Sequence, residues 1–174
     1  QTGRVVRSIL RGEFPPVYDL RINAGSVASY LNAAWCWLVD STSPWALRSY
    51  TALIGVITVV VSWWFFRQLF SVRWSLTGVA FVAGLRWLFT INRTAMATID
   101  ETILLTFAVL AAYMKAIRSS GYRFYVITGL LLGLAMHLHT GARVLPVIIG
   151  ADLLVRFWKS PRSIWSRAGA QAAL

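Results

Sequence analysis

The stretch "SYTALIGVITVVVSWWFF", residues 49–66, contains no charged residue and is almost continuously apolar. A helix that crosses the hydrocarbon core of a bilayer needs about 20 mostly apolar residues. An apolar run without a polar face is not typical of a surface helix in a soluble domain. The stretch therefore predicts a membrane-spanning helix, and it decides the fold class, which is an all-α membrane helix bundle.

Four further apolar segments follow, and together with 49–66 they predict a polytopic bundle of about five transmembrane helices. Arg86 interrupts the second segment, while Asp152 and Arg156 lie in the last, spaced so that they share one helix face and can pair. The last three segments are short or charged, which favours helices packed in a bundle over isolated spans. The four segments are 74–91, 102–114, 124–138 and 144–158.

The composition of the whole chain supports a membrane location. Its 174 residues are 57% hydrophobic and include 9 Trp, while 17 Lys and Arg face only 6 Asp and Glu. A soluble domain of this length needs more charge on its surface. The arginines are spread singly between apolar blocks, which favours loops beside anionic lipid over a nucleic-acid-binding groove. We expect membrane lipid as a partner and no nucleic acid.

Basic-rich and basic-poor turns alternate along the predicted bundle. The turns at Arg67, Lys115 and Lys159 are rich in Lys and Arg, so the positive-inside rule places them in the cytoplasm. The turns at 91–101 and 139–143 then face outward. This orientation fits an integral protein of the cell membrane, whether it is called the plasma or the inner membrane.

Three regions follow from this topology. Residues 1–48 are expected to form an extracytoplasmic loop, 49–158 the transmembrane bundle and 159–174 a cytoplasmic basic tail. The chain starts with Gln1 and shows no signal peptide, which we interpret as a fragment whose start lies upstream.

The outer loop is expected to contain two short helices, and aromatic residues mark the ends of the spans. "RVVRSILRGEFPPVY" (4–18) predicts a basic helix stopped by Pro15-Pro16. "SVASYLNAAWCWLVD" (26–40) predicts a helix in or near the membrane interface. The aromatic belt comprises Trp45, Tyr50, Trp63, Trp64, Trp74, Trp87, Tyr122, Tyr125, Trp158 and Trp165.

The segment "INRTAMATIDETILL" (91–105) is the first candidate site, because Arg93, Asp100 and Glu101 lie within a few residues of each other. In one interpretation the acids complement a helix dipole and Arg93 pairs with one of them. In the other, the acids take a proton or hold a divalent cation, and Arg93 neutralises a phosphate. The residue types alone leave both interpretations open.

The segment "MHLHTGARVLP" (136–146) is the second candidate, with His137 and His139 near Arg143. Residues two apart on a helix point in nearly opposite directions, so the histidines could share a metal ion only on extended backbone. The other interpretation is a pair of interfacial, hydrogen-bonding histidines. A transporter or channel is disfavoured, because it needs polar groups along several spans.

Three stretches, taken in order, resemble a known enzyme family. They are "SPWALRSYTALIGVITVVVSWWFFRQLFSVR", "RWLFTINRTAMATIDETILLTFAVLAAYMKA" and "YVITGLLLGLAMHLHTGARVLPVII". The series is similar to the polytopic GT-C glycosyltransferases of the dolichyl-phosphate-mannose protein mannosyltransferase type, the family-39-like branch. The resemblance covers most of residues 8–158 and suggests an N-terminal-half fragment.

The resemblance implies an inverting hexosyltransferase that moves a sugar from a polyprenyl-phosphate carrier to an acceptor at the extracytoplasmic face. Arg93 matches the family's arginine in the corresponding turn and is expected to contact the lipid phosphate, with Arg143 as a second contact. Asp100 or Glu101 lies near an acid that some members carry. The family's main first-loop acid is expected upstream of Gln1.

A second interpretation also fits this sequence. The family's "PPLYY" stretch is replaced here by "NAGSVASYL", residues 23–31. The chain could therefore be a non-catalytic membrane subunit of a larger complex, resembling or derived from such a transferase. An acidic residue just before Gln1 in the full gene would favour the enzyme.

Overall fold

The computed structural model of the chain describes residues 2–13, 18–19, 24–25, 27–85, 99–119 and 122–159. Within these ranges the fold is all-helical apart from one pair of two-residue antiparallel strands. The elements in chain order are α1 (Thr2–Leu10), β1 (Tyr18–Asp19), β2 (Ala24–Gly25), α2 (Val27–Leu38), α3 (Pro44–Leu69), α4 (Val72–Gly84), α5 (Ile99–Arg118), α6 (Arg123–Leu138), a 3₁₀ turn (Thr140–Arg143) and α7 (Val144–Lys159).

Helix α3 contains the stretch that decides the fold. It begins five residues before the predicted start, because the Ser43 hydroxyl accepts a hydrogen bond from the Ala46 N–H and Pro44 occupies the first turn. Its 26 residues rise about 39 Å, enough to cross a bilayer. Among the described helices, it alone combines the length and the apolar composition of a membrane span.

The other predicted segments form helices that are shorter or carry more charge. Helices α5, α6 and α7 agree with the predicted segments 102–114, 124–138 and 144–158 to within about a turn. Helices of 16 residues, such as α6 and α7, rise about 24 Å, less than the hydrocarbon thickness.

The predicted helical span over 74–91 extends past the end of the observed helix. Helix α4 ends at Gly84, and Leu85 takes an extended conformation with φ −61° and ψ 113°. Glycine weakens a helix because it loses more backbone freedom on ordering than any other residue. Arg86, expected to interrupt this span, lies outside the described residues.

The basic N-terminal helix is confirmed, but its predicted stop is wrong. Helix α1 ends at Leu10, before the prolines, because Gly12 adopts a left-handed conformation with φ 83°. The Gly12 N–H donates to the Ile9 carbonyl and the Glu13 N–H to the Ser8 carbonyl. These two bonds form a Schellman cap, which satisfies carbonyls that the helix end would leave unpaired.

Helices α3 and α5 run in the same direction. Near their first turns the Tyr50 hydroxyl donates to Glu101 Oε1 at 2.9 Å. Farther along both helices, Gln68 Nε2 donates to the Ala111 carbonyl at 2.9 Å. The first turns of two helices therefore lie at the same end of the bundle.

Helix α6 runs antiparallel to α5, and α7 runs parallel to it. Lys115, near the end of α5, lies over the Phe124 ring at the start of α6, 6.0 Å from its centroid. The Tyr113 hydroxyl in the second half of α5 donates to Asp152 in the second half of α7. Arg156 pairs with the same carboxylate at 2.6 Å, which confirms the predicted Asp152–Arg156 pair.

The interior of the bundle contains small residues and hydroxyl groups. The buried hydroxyls of Thr58, Ser62 and Thr128 donate to carbonyls of their own helices, so they need no water. Small residues let helices approach closely, and this is typical of helix contacts in membranes. The fully or almost fully buried alanines are Ala28, Ala33, Ala46, Ala111, Ala112, Ala116, Ala135 and Ala142.

Large apolar side chains lie on the outside instead. Leu130 is 71% exposed and Trp158 is 83% exposed. Exposed apolar surface of this extent is unfavourable in water and normal against lipid. The others that are more than 60% exposed are Trp37, Leu38, Trp45, Val56, Val60, Trp74, Phe81, Tyr122, Val147 and Leu154.

Candidate functional site: a buried acid pair

The first turn of α5 carries the two adjacent acids of the sequence. Asp100 is 1% exposed and Glu101 is 3% exposed. Carboxylates at a helix N-terminus are stabilised by the free N–H groups and the dipole there. The predicted position of the acids at a helix start is confirmed, and both side chains are buried within the bundle. Their predicted place at the outer side of the membrane stays a prediction.

Glu101 is held in place by a residue from another helix. Its Oε1 accepts the hydrogen bond from Tyr50, which is itself buried in the second turn of α3. Because the two residues are 51 positions apart, only the packing of α3 against α5 can bring them together. The bond fixes the position of the Glu101 carboxylate.

Both oxygens of Asp100 are buried without a hydrogen-bond partner in the described part of the chain. Such groups are rare, because a buried polar atom without a partner costs about 1–3 kcal/mol, and a charged one costs more. Unpaired buried polar groups that persist in a fold point to a functional role or to a missing ligand. Asp100 is therefore the strongest candidate for a reactive group in this site.

The electrostatic environment of Asp100 favours its protonated form. Asp100 precedes the apolar segment 102–114, and burial raises the pKa of its carboxyl from 3.8 to about 7, with the negative charge of Glu101 as the second cause. A carboxyl whose pKa lies near neutral pH can both accept and return a proton at that pH. This property suits general base catalysis.

Of the two candidate phosphate-binding arginines, the structure describes only Arg143. Arg93 lies outside the described residues, so its predicted pairing with the acids stays a prediction. Arg143 is exposed at the end of the 3₁₀ turn. In the described ranges it forms no ion pair with either acid of α5, and the ion pair found there joins Asp152 to Arg156.

Helix register nevertheless puts Arg143 at the same end of the bundle as the acids. Lys115 lies against Phe124, and α5 and α6 are antiparallel. Glu101 lies 14 residues before Lys115 in α5, and Leu138 lies 14 residues after Phe124 in α6. Glu101 and Leu138 are therefore each about 21 Å along their helices from the Lys115–Phe124 contact, at the same end of the bundle. Arg143 follows Leu138 by little more than one turn.

The two histidines lie on different backbone conformations and each has its own interaction partner. His139 ends α6 on extended backbone, with φ −152° and ψ 141°, and its Nδ1 accepts a hydrogen bond from the Gly141 N–H at 3.0 Å. His137 lies in the last turn of α6 and also has an interaction partner. Across the described residues, no three or more His, Cys, Asp or Glu side chains gather as a metal site would require.

Tyr50 is the site residue that the sequence did not reveal. The predicted place of Tyr50 in the aromatic belt is wrong, since its side chain is buried and bonded to Glu101. One feature of the sequence could have indicated this role. Tyr50 lies at the start of the apolar stretch 49–66, whereas the other aromatic residues of that stretch lie near its end. A buried tyrosine hydroxyl needs a partner, and a buried carboxylate supplies one.

We predict that Tyr50→Phe destabilises the fold. The change removes a donor to a buried carboxylate, so the free energy of unfolding should fall by about 1.5–3 kcal/mol. Thermal unfolding of the purified protein in detergent measures it, with the exposed Tyr122 changed to Phe as the matched control. Equal melting temperatures for the two variants would contradict the structural role of the Tyr50 bond.

The apolar exterior, the interior of small residues and the buried carboxylates define a helical membrane protein with an acid pair at one end of its bundle. The chain belongs to the dolichyl-phosphate-mannose-protein mannosyltransferase family, because the sequence profile of that family matches residues 24–174. This is a glycosyltransferase family, and it implies a polyprenyl-phosphate-linked sugar as donor. Comparison with curated proteins and with solved structures gives no match.

Proposed function

We propose that the protein is an inverting glycosyltransferase that moves a hexose from a polyprenyl-phosphate carrier to a hydroxyl acceptor at the extracytoplasmic face of the cell membrane. The observation that carries the proposal is the buried Asp100, without a hydrogen-bond partner among the described residues, beside a Glu101 fixed by Tyr50. Family membership supports the transfer chemistry. The acid pair supplies a group that this chemistry needs.

The proposed reaction is a displacement at the anomeric carbon. Asp100 takes the proton of the acceptor hydroxyl, and the acceptor oxygen forms a new bond to that carbon. The bond from carbon to the phosphate oxygen breaks, and the carrier phosphate leaves with the electron pair. Arg93 and Arg143 neutralise the charge that develops on the phosphate, which is where fixed cations lower the barrier most.

The proposed membrane topology has five spans, and the helix directions support it. Helices α3, α5 and α7 point one way, and α6 points the other way, as alternating spans require. The first turns of α3 and α5 and the last turn of α6 then share one end, which we assign to the extracytoplasmic side. The basic turns at Arg67 and Lys115 lie at the other end, as the positive-inside rule expects.

Transfer measured in oriented membrane vesicles tests the proposal. Right-side-out and inverted vesicles containing the protein receive polyprenyl-phosphate-mannose in the bilayer and a membrane-impermeant hydroxyl acceptor in the medium. We expect a glycosylated acceptor only in right-side-out vesicles. Product in inverted vesicles alone would reverse the assigned face, and donor binding without product in either would favour the non-catalytic subunit of a larger complex.

The same assay addresses a metal role for the acid pair. A divalent cation held by Asp100 and Glu101 is the alternative to proton transfer. Turnover lost on adding a chelator and restored by Mg²⁺ or Mn²⁺ would assign that role, whereas unchanged turnover would reject it.

A further inference from the structure

A basic cavity lies at the end of the bundle opposite the acid pair. Its volume is about 220 Å³, and it opens between the last turns of α3 and α5. Three of its lining residues are cations, and one is a tryptophan. The lining residues are Trp64, Arg67, Gln68, Lys115, Arg118 and Ser119.

The three cations have no carboxylate to neutralise them within the described part of the chain. The acids of α5 lie 14 residues before Lys115 or farther, which is about 21 Å along the helix. Asp152 is engaged by Arg156 and Tyr113. Cations near helix C-termini complement the helix dipole, but that effect does not require three of them around one cavity. A bound anion does.

Gln68 adds a second polar feature to the cavity wall. Its Nε2 is fixed by donation to the Ala111 carbonyl, and its Oε1 is buried without a hydrogen-bond partner in the described ranges. The oxygen can only accept hydrogen bonds, so the group that completes it must carry a donor such as a hydroxyl. The cavity thus offers positive charge for an anion and an acceptor for a hydroxyl.

An apolar path leads to the cavity along the outside of α3. Leu53, Ile57, Val60 and Trp64 follow at intervals of three or four residues, so they share one face, and all four are exposed. The path from Leu53 to Trp64 extends about 16 Å along the helix. This surface suits an acyl chain, and it ends at the cations, where a headgroup would lie.

We propose that this cavity binds the phosphate group of an anionic phospholipid whose headgroup also carries a hydroxyl, such as a glycerol headgroup. Arg67, Lys115 and Arg118 contact the phosphate, Gln68 Oε1 accepts from the headgroup hydroxyl, and an acyl chain lies on the apolar path. The site is independent of the sugar-transfer chemistry. Its ligand would anchor the ends of α3 and α5 to one leaflet.

Lipid binding to the purified full chain tests the proposal. The probes are short-chain phosphatidylglycerol, phosphatidylcholine and inorganic phosphate, and the readout is the number of bound molecules seen by native mass spectrometry as the probe is titrated. The test variant is Lys115→Gln with Arg118→Gln. The matched control is Arg73→Gln with Arg123→Gln, which removes two exposed cations at the same end of the bundle but outside the cavity.

We expect phosphatidylglycerol, but not phosphatidylcholine, to bind the wild-type protein at one site. A cation near a lipid headgroup contributes about fivefold in affinity, so the cavity variant should bind roughly 25-fold more weakly. The control should change less than about threefold, and Lys115→Arg should retain binding. If the double variant does not fold, Arg118→Gln alone should still lose about fivefold.

Two results would count against the proposal. Equal weakening in the cavity variant and in the control would show general attraction of basic turns to anionic lipid, and would overturn the site. Inorganic phosphate that binds with the same residue dependence and displaces the lipid would identify a soluble phosphate as the ligand, and would overturn the lipid as its source.

Discussion

Replacing Asp100 with Asn is expected to lower the rate of sugar transfer by about 10²–10⁴-fold, which is the usual contribution of a general base. The substitution keeps the shape of the side chain and removes its ability to take a proton. Asp40 provides a matched control, because it is exposed and has φ 48°, a conformation that Asn tolerates well. Asp40→Asn should transfer at the wild-type rate.

The pH dependence of transfer separates a catalytic role from a structural one. Because the pKa of Asp100 is raised to about 7, the active carboxylate form increases as pH rises, and the rate should rise through pH 7 to a plateau. The residual activity of Asp100→Asn should lack this rise. A loss of less than threefold, or a variant that keeps the wild-type pH profile, would rule out Asp100 as the base.

The contribution of Asp100 to the free energy of unfolding should fall as pH rises, whereas the transfer rate should rise. The folded protein binds the Asp100 proton more tightly than the unfolded chain, since its pKa is raised from 3.8 to about 7. This contribution is complete below about pH 4 and is lost as pH rises to about 7. The melting temperature of Asp100→Asn relative to wild type should therefore increase from pH 5 to pH 8.

Replacing Arg93 with Ala is expected to lower transfer by about 10²–10³-fold, the usual cost of removing one group that stabilises developing negative charge. The physical reason is that the departing carrier phosphate gains charge in the transition state. Such a loss should affect kcat more than KM, because the interaction strengthens as the bond breaks. Steady-state transfer rates with varied donor concentration measure both constants.

Two controls accompany the Arg93 prediction. Arg93→Lys keeps the charge but not the two-pronged geometry of a guanidinium, so it should recover only part of the activity. Arg73→Ala removes a cation from the exposed turn between α3 and α4 and should have little effect. Unchanged turnover in Arg93→Ala would reject contact with the carrier phosphate and would shift that role to Arg143.

The two interpretations of the acid pair can now be weighed against the structure. The dipole interpretation accounts for two carboxylates in the first turn of α5. It does not account for the burial of both, nor for the missing hydrogen-bond partners of Asp100 in the described chain. A structural acid would be expected to bond to the N–H groups of its own helix start. The functional interpretation accounts for a buried Asp100 whose oxygens have no hydrogen-bond partner in the described ranges.

Much of the secondary structure followed from the sequence, because apolar periodicity and caps act over a few residues. The apolar segments predicted the positions of α3, α5, α6 and α7, and the spacing of Asp152 and Arg156 predicted their pair. The two errors at helix ends also have local causes. Helix α1 ends near Gly12, ahead of the prolines that were expected to stop it. Helix α4 ends at Gly84, although the apolar segment continues beyond it.

The sequence by itself determined an all-helical membrane chain with both acids at a helix start, since hydrophobicity and charge are properties of neighbouring residues. Only the tertiary structure decided that α3 and α5 run parallel, that Tyr50 bonds Glu101, and that Asp100 is buried without such a bond within the described ranges. It also brought Arg67 to Lys115 and Arg118 around one cavity. These contacts join residues about 50 positions apart, and helix packing selects them through shape and small residues rather than through any local pattern.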